Sequence, residues 1–154
     1  MNRPLVIAIT GASGAVYAVR LVQLLARACP ELHLVISPAG REVLQLELGL
    51  DWGQDPLDPT RLLEIELPFC ERPAGDLAAS LHLHDHRDMM APIASGSFLT
   101  AGMVICPCSG GTLSSVVSGA SGNLIHRAAD VHLKEGRRLI LVPRETPLSR
   151  IHLE

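Results

Sequence analysis

The residues best able to do chemistry stand near the start of the chain. In VIAITGASGAVYAVRL, Val6 to Leu21, a short apolar run meets Gly11 and Gly14, with Ala12 and the hydroxyl of Ser13 between them. A strand, a glycine turn and a helix start together make an anion site, because free backbone N–H groups and the helix dipole both favour negative charge there. Three familiar uses of such a turn fail on the residues. A Walker A loop needs G-K-[ST], and Ala15, Val16 and Tyr17 follow instead. A dinucleotide fingerprint needs G-x-G-x-x-G and an acid closing the second strand; here the turn is G-x-x-G and that strand closes on Ser37. A short-chain dehydrogenase with T-G-A-S-G pairs a tyrosine with a lysine in Tyr-x-x-x-Lys, but Leu21 stands at that spacing from Tyr17, the sole tyrosine. A mononucleotide phosphate remains, with Ser37 as a further contact. The alternative is a plain glycine turn that packs helix on strand.

More candidates for anion chemistry follow. Arg127 and Lys134 lie two helical turns apart and share a face. Arg144 and Glu145 follow the last strand, at the carboxyl edge where parallel sheets bind ligands. The chain order places all four near the glycine turn. Their competing readings are a solvated helix face and a surface ion pair worth about 0–1 kcal/mol. In LHLHDH, His82, His84 and His86 alternate on one strand face and suggest zinc. Neighbours spaced by two on a strand are about 7 Å apart, awkward for one ion with 2.0–2.1 Å bonds, so a polar strand face or subunit contact is the expectation. His126, His132 and His152 carry no separate argument.

The elements that must position these residues read as alternating strands and helices. Leu5–Ile9 is a buried strand, and a helix runs from about Gly14 to Cys29, ended by Pro30. Leu32–Ser37 is a strand; Ser37-Pro38 caps and opens a helix to about Leu48. Between Gly49 and Ser80, with Trp52, Pro56, Pro59, Pro68 and Pro73, only a short helix from Pro59 to Leu67 is expected. Leu81–His86 is a strand, Asp88–Thr100 a loop, and Met103–Pro107 a buried strand leading through CSGGTLSSVVSG into a helix. Asn123–Glu135 is an amphipathic helix capped by Asn123 and stopped by Gly136; Leu139–Val142 is a strand, and Thr146-Pro147 opens a last helix. The fold class is therefore α/β, a doubly wound parallel sheet with helices on both faces. That last helix has no visible end by Glu154, so the expectation is one domain over residues 1–154 that lacks a C-terminal segment.

Composition bounds the function. With 154 residues, 47% of them hydrophobic and 3% aromatic, an aliphatic core needs no metal or disulfide. A net charge of -3 gives no general case for nucleic acid or an anionic membrane, so any anion site is local. Cys29, Cys70, Cys106 and Cys108 lack disulfide or zinc spacing and read as buried free thiols in a reducing cytosol. The N-terminal apolar run is too short for a signal peptide or membrane span. A cytoplasmic protein is expected.

The stretches TGASGAVYAVRL, LVISPAG, ASGSF, GMVICPCSGGTLSSV, GNLIHRAADVHLKEGRRLILVPRETPL and IHLE resemble the UbiX flavin prenyltransferases. The blocks PCSxxTLS, RAADVxLKE and PRExP are specific in combination. The resemblance implies a flavodoxin-like, Rossmann-type domain in a homododecamer. It further implies metal-free transfer of a dimethylallyl group from dimethylallyl monophosphate to N5 and C6 of reduced FMN, and delivery of prenylated FMN to UbiD-like decarboxylases.

Residue by residue, the resemblance assigns FMN contacts to Gly11, Ala12, Ser13, Ser37, Ser109, Gly110, Gly111, Thr112, Leu113 and Arg127. It assigns the prenyl phosphate to Ser13, Ser95, Gly96, Lys134 and Arg144. Glu47 and Glu145 match acidic active-site residues and stand with Lys134 and Arg144 as catalytic candidates. Met89 departs from the family where several members carry an aromatic residue, and methionine has no π-face for an allyl cation. The family's chain also continues past this end, supplying a tyrosine and an arginine to the prenyl-phosphate pocket. Two other readings compete. A flavin-dependent cysteine decarboxylase would carry a PASANT-type block and a histidine near the first helix, where this chain has PCSGGT and no histidine between Gly11 and Leu32. A non-catalytic flavin carrier would not need Lys134, Arg144 and Glu145.

Overall fold

The computed structural model describes residues 3–52, 58–68, 70–71, 73 and 75–152. Five parallel strands form one sheet: β1 (Leu5–Ile9), β2 (Glu31–Ile36), β3 (Ser80–His84), β4 (Gly102–Cys108) and β5 (Leu139–Pro143), in the order β3-β2-β1-β4-β5. Helices α1 (Ala15–Ala28), α2 (Pro38–Leu48), α3 (Arg61–Glu64), α4 (Gly110–Val117) and α5 (Leu124–Lys134) connect them. This is the flavodoxin-like α/β fold.

Two cores exist because successive strand side chains point to opposite faces. Ile7, Ile9, Leu32, Leu34 and Ile36 pack with Ala18, Val19 and Val22 of α1, Leu44 of α2 and Leu62 of α3. Val6, Ala8, Val35, Met103 and Ile105 pack with Val116 of α4 and with Leu124, Ile125, Ala128 and Ala129 of α5. The helix signals act as their chemistry requires. Ser37 Oγ accepts from Gly40 N at 3.0 Å, with Pro38 in the first turn of α2. Asn123 Oδ1 accepts from His126 N at 3.0 Å, and Gly136, at φ 63°, takes the left-handed conformation just beyond α5.

Several expectations change. The helix foreseen over Pro59–Leu67 is only the single turn α3; Gln23 Nε2 donates to Leu62 O at 3.3 Å and Ile65 O at 2.9 Å, taking up the carbonyls at its end. The strand ends at His84, because Asp85 turns the chain by accepting from Arg87 N at 2.9 Å. The Asp88–Thr100 loop contains a 3-10 turn, Pro92–Ala94. Among the described residues no α-helix follows Thr146-Pro147, only a 3-10 turn at Arg150–His152. Cys70 is exposed, whereas Cys29, Cys106 and Cys108 are buried free thiols. Burial first, then Cys106 beside it, pushes the Cys108 thiol up to about 11. No helix among the described residues is long and apolar enough to cross a membrane. Pro56 and the last two residues of IHLE lie outside the described residues.

Candidate active-site crevice

The strand order reverses between β1 and β4: chain leaving β1 moves toward β2, and chain leaving β4 moves toward β5. Loops on the two sides diverge there, which is where an open parallel sheet forms its ligand crevice, at the carboxyl edge. Into that edge run the glycine turn after β1, Ser37 after β2, Ser109 after β4, and Arg144 with Glu145 after β5.

The floor of the crevice is a small hydrogen-bonded lattice. Thr10 Oγ1 and Thr10 N both donate to Pro107 O, at 2.8 and 3.2 Å. Ser109 N donates to Thr10 Oγ1 at 2.8 Å, and Ser37 N to Ile9 O at 3.0 Å. Proline offers no N–H, and the β4–β5 register shifts between Ile105 and Cys108; Pro107 O turns to Thr10. Backbones approach closely here, so glycine is required. A Cβ on Gly40 would lie 2.6 Å from Ile9 O, and one on Gly11 would lie 2.4 Å from the Ala39 Cβ. Thr10 and Pro107 were missed by sequence reasoning; a threonine ending an apolar strand was the only signal.

The glycine turn holds an anion, and that anion is part of the chain. Ser13 Oγ donates to Glu47 Oε1 at 2.7 Å, while Gly14 N and Ala15 N donate to Glu47 Oε2 at 3.0 and 2.8 Å. α1 has no side-chain cap from Gly14 and no acid in its first turn, so Glu47 of α2 supplies the missing acceptor. Burial opposes the charge on Glu47. The hydrogen bonds from Ser13, Ala15 and Gly14, with Arg144 nearby, outweigh it and hold the carboxyl below the usual range. A second carboxylate sits at the next helix start: Glu145 Oε2 lies 3.3 Å from where a Cβ on Gly110 would stand. Ser109 caps α4, its Oγ accepting from Thr112 N at 3.3 Å and donating to Thr112 Oγ1 at 3.0 Å. A Cβ on Gly111 would meet nothing within 4 Å, so this helix start is open. Arg144 is anchored by its N–H to Cys108 O at 3.3 Å and leaves its side chain exposed.

Not every residue expected beside the turn is there. α5 begins at the carboxyl edge, where Leu124 N donates to His86 O at 2.8 Å, and runs back along the sheet. Its last residue, Lys134, therefore lies toward the amino edge, exposed and without an ion pair among the described residues. Gly96 is there too: a Cβ on it would lie 2.4 Å from Glu135 Oε1. Arg137 donates to Gly96 O and, at 2.7 Å, to Phe98 O. Ala101 N then donates to Pro4 O at 2.8 Å, just ahead of β1. Ser95 Oγ pairs with Ser97 Oγ at 2.9 Å. Arg127 lies in the first turns of α5: its Nε donates to Ala94 O at 3.1 Å, next to Ser95, and its Nη1 pairs with Asp130 at 3.2 Å. Chain order suggested proximity; the direction of α5 separates the candidates into two groups at opposite sheet edges. Met89, in the loop after β3, is 42% exposed.

Comparison with known proteins places this geometry. The Flavoprotein family model matches residues 1–153. A flavin prenyltransferase UbiX of Alkalihalophilus pseudofirmus is 52% identical over 154 residues, all of this chain and 72% of the relative. The crystal structure of AnUbiX in complex with FMN and dimethylallyl pyrophosphate superposes with TM-score 0.77 at 38% identity, covering 99% of this chain and 70% of that one. A dodecameric FMN-dependent UbiX-like decarboxylase from Escherichia coli O157:H7 superposes with TM-score 0.76 at 39% identity, covering 97% of this chain and 71% of that one. FMN-dependent and peptidyl cysteine decarboxylases match at 14% and 16% identity, which shows the fold alone. A glycine turn, a capped PCSGGT helix start and an Arg-Glu pair at one crevice, in a chain this similar over its whole length, lead to one assignment: it belongs to the UbiX flavin prenyltransferase family.

Proposed function

We propose that this protein transfers a dimethylallyl group from dimethylallyl monophosphate to N5 and C6 of reduced FMN, and that the prenylated FMN goes to UbiD-like decarboxylases. The carrying observation is the crevice where two helix starts, each with a carboxylate against it, meet Arg144. Its residues fit FMN: the Glu47 carboxylate on Ser13, Gly14 and Ala15 is a stand-in for an anionic ligand group. The open start of α4 offers further donors. Gly11, Ala12, Ser13, Ser37, Ser109, Gly110, Gly111, Thr112, Leu113 and Arg127 would hold the flavin; bound FMN supplies the nucleophilic atoms.

The chain's own residues do the rest. Breaking an allylic C–O bond yields a cation and a phosphate. Lys134 and Arg144, with Ser13, Ser95 and the backbone at Gly96, neutralise the departing phosphate. Glu47 and Glu145 face the cation or move a proton as the new bonds form. The separation of Lys134, Ser95 and Gly96 from the glycine turn supports assembly: in a homo-oligomer, the amino-edge group of one copy completes the carboxyl-edge group of another. A homododecamer is the proposed form, and exposed Tyr17, Leu46, Met90 and Val117 provide apolar surface for such contacts. We place the protein in the cytoplasm and read residues 1–154 as one flavin-binding domain.

The test is incubation with reduced FMN and dimethylallyl monophosphate under anaerobic conditions, followed by mass spectrometry. A flavin heavier by one prenyl group is expected; unchanged flavin from FMN-loaded protein overturns the reading. The cysteine-decarboxylase alternative predicts carbon dioxide release from a cysteine-ending peptide instead.

A further inference from the structure

We propose that Glu31, His33 and His82 form a binding site for a divalent transition ion such as zinc, at the edge of the sheet and separate from the crevice. Their candidate ligand atoms all lie within 4.8 Å of one another. The strand register brings them together: His33 of β2 pairs with His82 of edge strand β3, and Glu31 lies two residues before His33 on the same face. His82 and His84 lie on β3, but His86 follows its end, so the alternation expected over all three is lost.

Distances fit an ion. His33 Nε2 and His82 Nε2 face the same oxygen, Glu31 Oε1, at 2.9 and 3.2 Å. Ligands bound tetrahedrally at 2.0–2.1 Å stand about 3.4 Å apart, so small movements admit zinc between them. The rings are already ordered. His33 stacks on His82 with centroids 4.9 Å apart and on His84 at 5.1 Å, and the Phe98 ring meets His33 edge-on at 5.0 Å. His33 Nδ1 lies 2.8 Å from His84 Nε2, the outer hydrogen bond that fixes a metal-binding imidazole. Burial lowers the His33 pKa against the opposing pull of Glu31, which keeps the ring neutral and able to ligate near neutral pH.

The protons balance. Without an ion, the N–H groups of His33 Nε2 and His82 Nε2 both point to Glu31, and His84 Nε2–H donates to His33 Nδ1. An ion replaces the two protons at Glu31. The His33 proton moves to Nδ1 and donates to His84 Nε2, while the His82 and His84 protons move to their own Nδ1 atoms. His82 is half exposed, leaving solvent access for a water as fourth ligand.

FMN-loaded protein would be titrated with zinc chloride by calorimetry and with cobalt(II) by visible absorption. One zinc per chain is expected, with a d–d cobalt spectrum of nitrogen and oxygen ligands. Glu31→Gln and His82→Asn should each weaken binding at least tenfold. His84→Asn, which removes the outer hydrogen bond and the ring stacked on His33 but no ligand, should weaken it about tenfold. Zinc should raise the thermal midpoint of wild type but not of His82→Asn, with prenyl transfer the same in both. Absence of saturable binding at micromolar zinc overturns the proposal. So does a thiolate-to-cobalt band, which would place the ion on Cys70, or binding that survives both ligand variants.

Discussion

Lys134→Ala and Arg144→Ala, mixed within one oligomer, test whether one copy completes another. α5 spans 11 residues, so Lys134 lies roughly 16 Å along the helix from the carboxyl edge where α5 begins. β5 adds an independent measure. It rises about 3.3 Å per residue over five residues, again roughly 16 Å between the edge near Lys134 and Arg144. A lysine side chain cannot close such a gap, so under the proposed function the two cations would meet one phosphate only across a subunit boundary. Each variant alone should lose roughly 30- to 1,000-fold in rate, equivalent to about 2–4 kcal/mol of transition-state stabilisation. Each should keep its FMN. In a one-to-one random mixture, a site drawing one half from each of two neighbours receives both intact halves about a quarter of the time. The two variants, coexpressed with different tags and purified through both, should therefore recover about a quarter of wild-type prenyl transfer by mass spectrometry. Mixed oligomers no more active than either parent would show that both residues act within one chain, and would refute the division between sheet edges.

The remaining predictions concern the crevice and four buried or half-buried histidines. Glu47→Ala removes the internal anion from the start of α1; inorganic phosphate should then bind about two- to fivefold more tightly by calorimetry, the size of a helix-terminus charge effect. Thr10→Val removes the acceptor of Ser109 N and one of the two donors to Pro107 O, leaving the backbone bond from residue 10, and should cost about 1–3 kcal/mol in urea unfolding. Burial lowers the pKa values of His33, His84, His126 and His132 from 6.5. The unfolded chain then binds more protons than the folded one below about pH 6.5, so stability is full above that pH and falls as pH drops toward the folded values. Thermal midpoints measured from pH 7.5 to 5 should decline; a flat or rising profile would contradict the burial argument.

Much of this molecule was legible in the sequence where a local signal and a tertiary need coincide. Ser37-Pro38 and Asn123 announce helix starts because the same side chains that cap them are visible as residue types. β1 and β4 read as strands because both faces are buried. Reading failed where direction decides. Arg127 and Lys134 share a helix face in sequence, yet only the antiparallel run of α5 against the sheet shows that Lys134 ends far from the glycine turn. Glu47 lies 34 residues from Ser13, and no spacing rule links an acid at the end of one helix to the start of another. The helix expected after Thr146-Pro147 rested on a proline signal alone. His33 escaped notice because its partners, His82 and His84, belong to a strand about fifty positions away that register alone brings beside it.

The carboxylate of Glu47 acts as a tethered competitor. Being attached to the same chain, it is present at a high effective concentration that no dilution lowers. A small free anion meets a turn whose donors are already engaged, and gains little by exchanging one oxygen pair for another. A ligand that also reaches Ser37, the start of α4 and Arg144 brings contacts the carboxylate cannot match. The turn thus acts as a filter: it resists the simple salts of a crowded solution and yields to a molecule large enough to span the crevice.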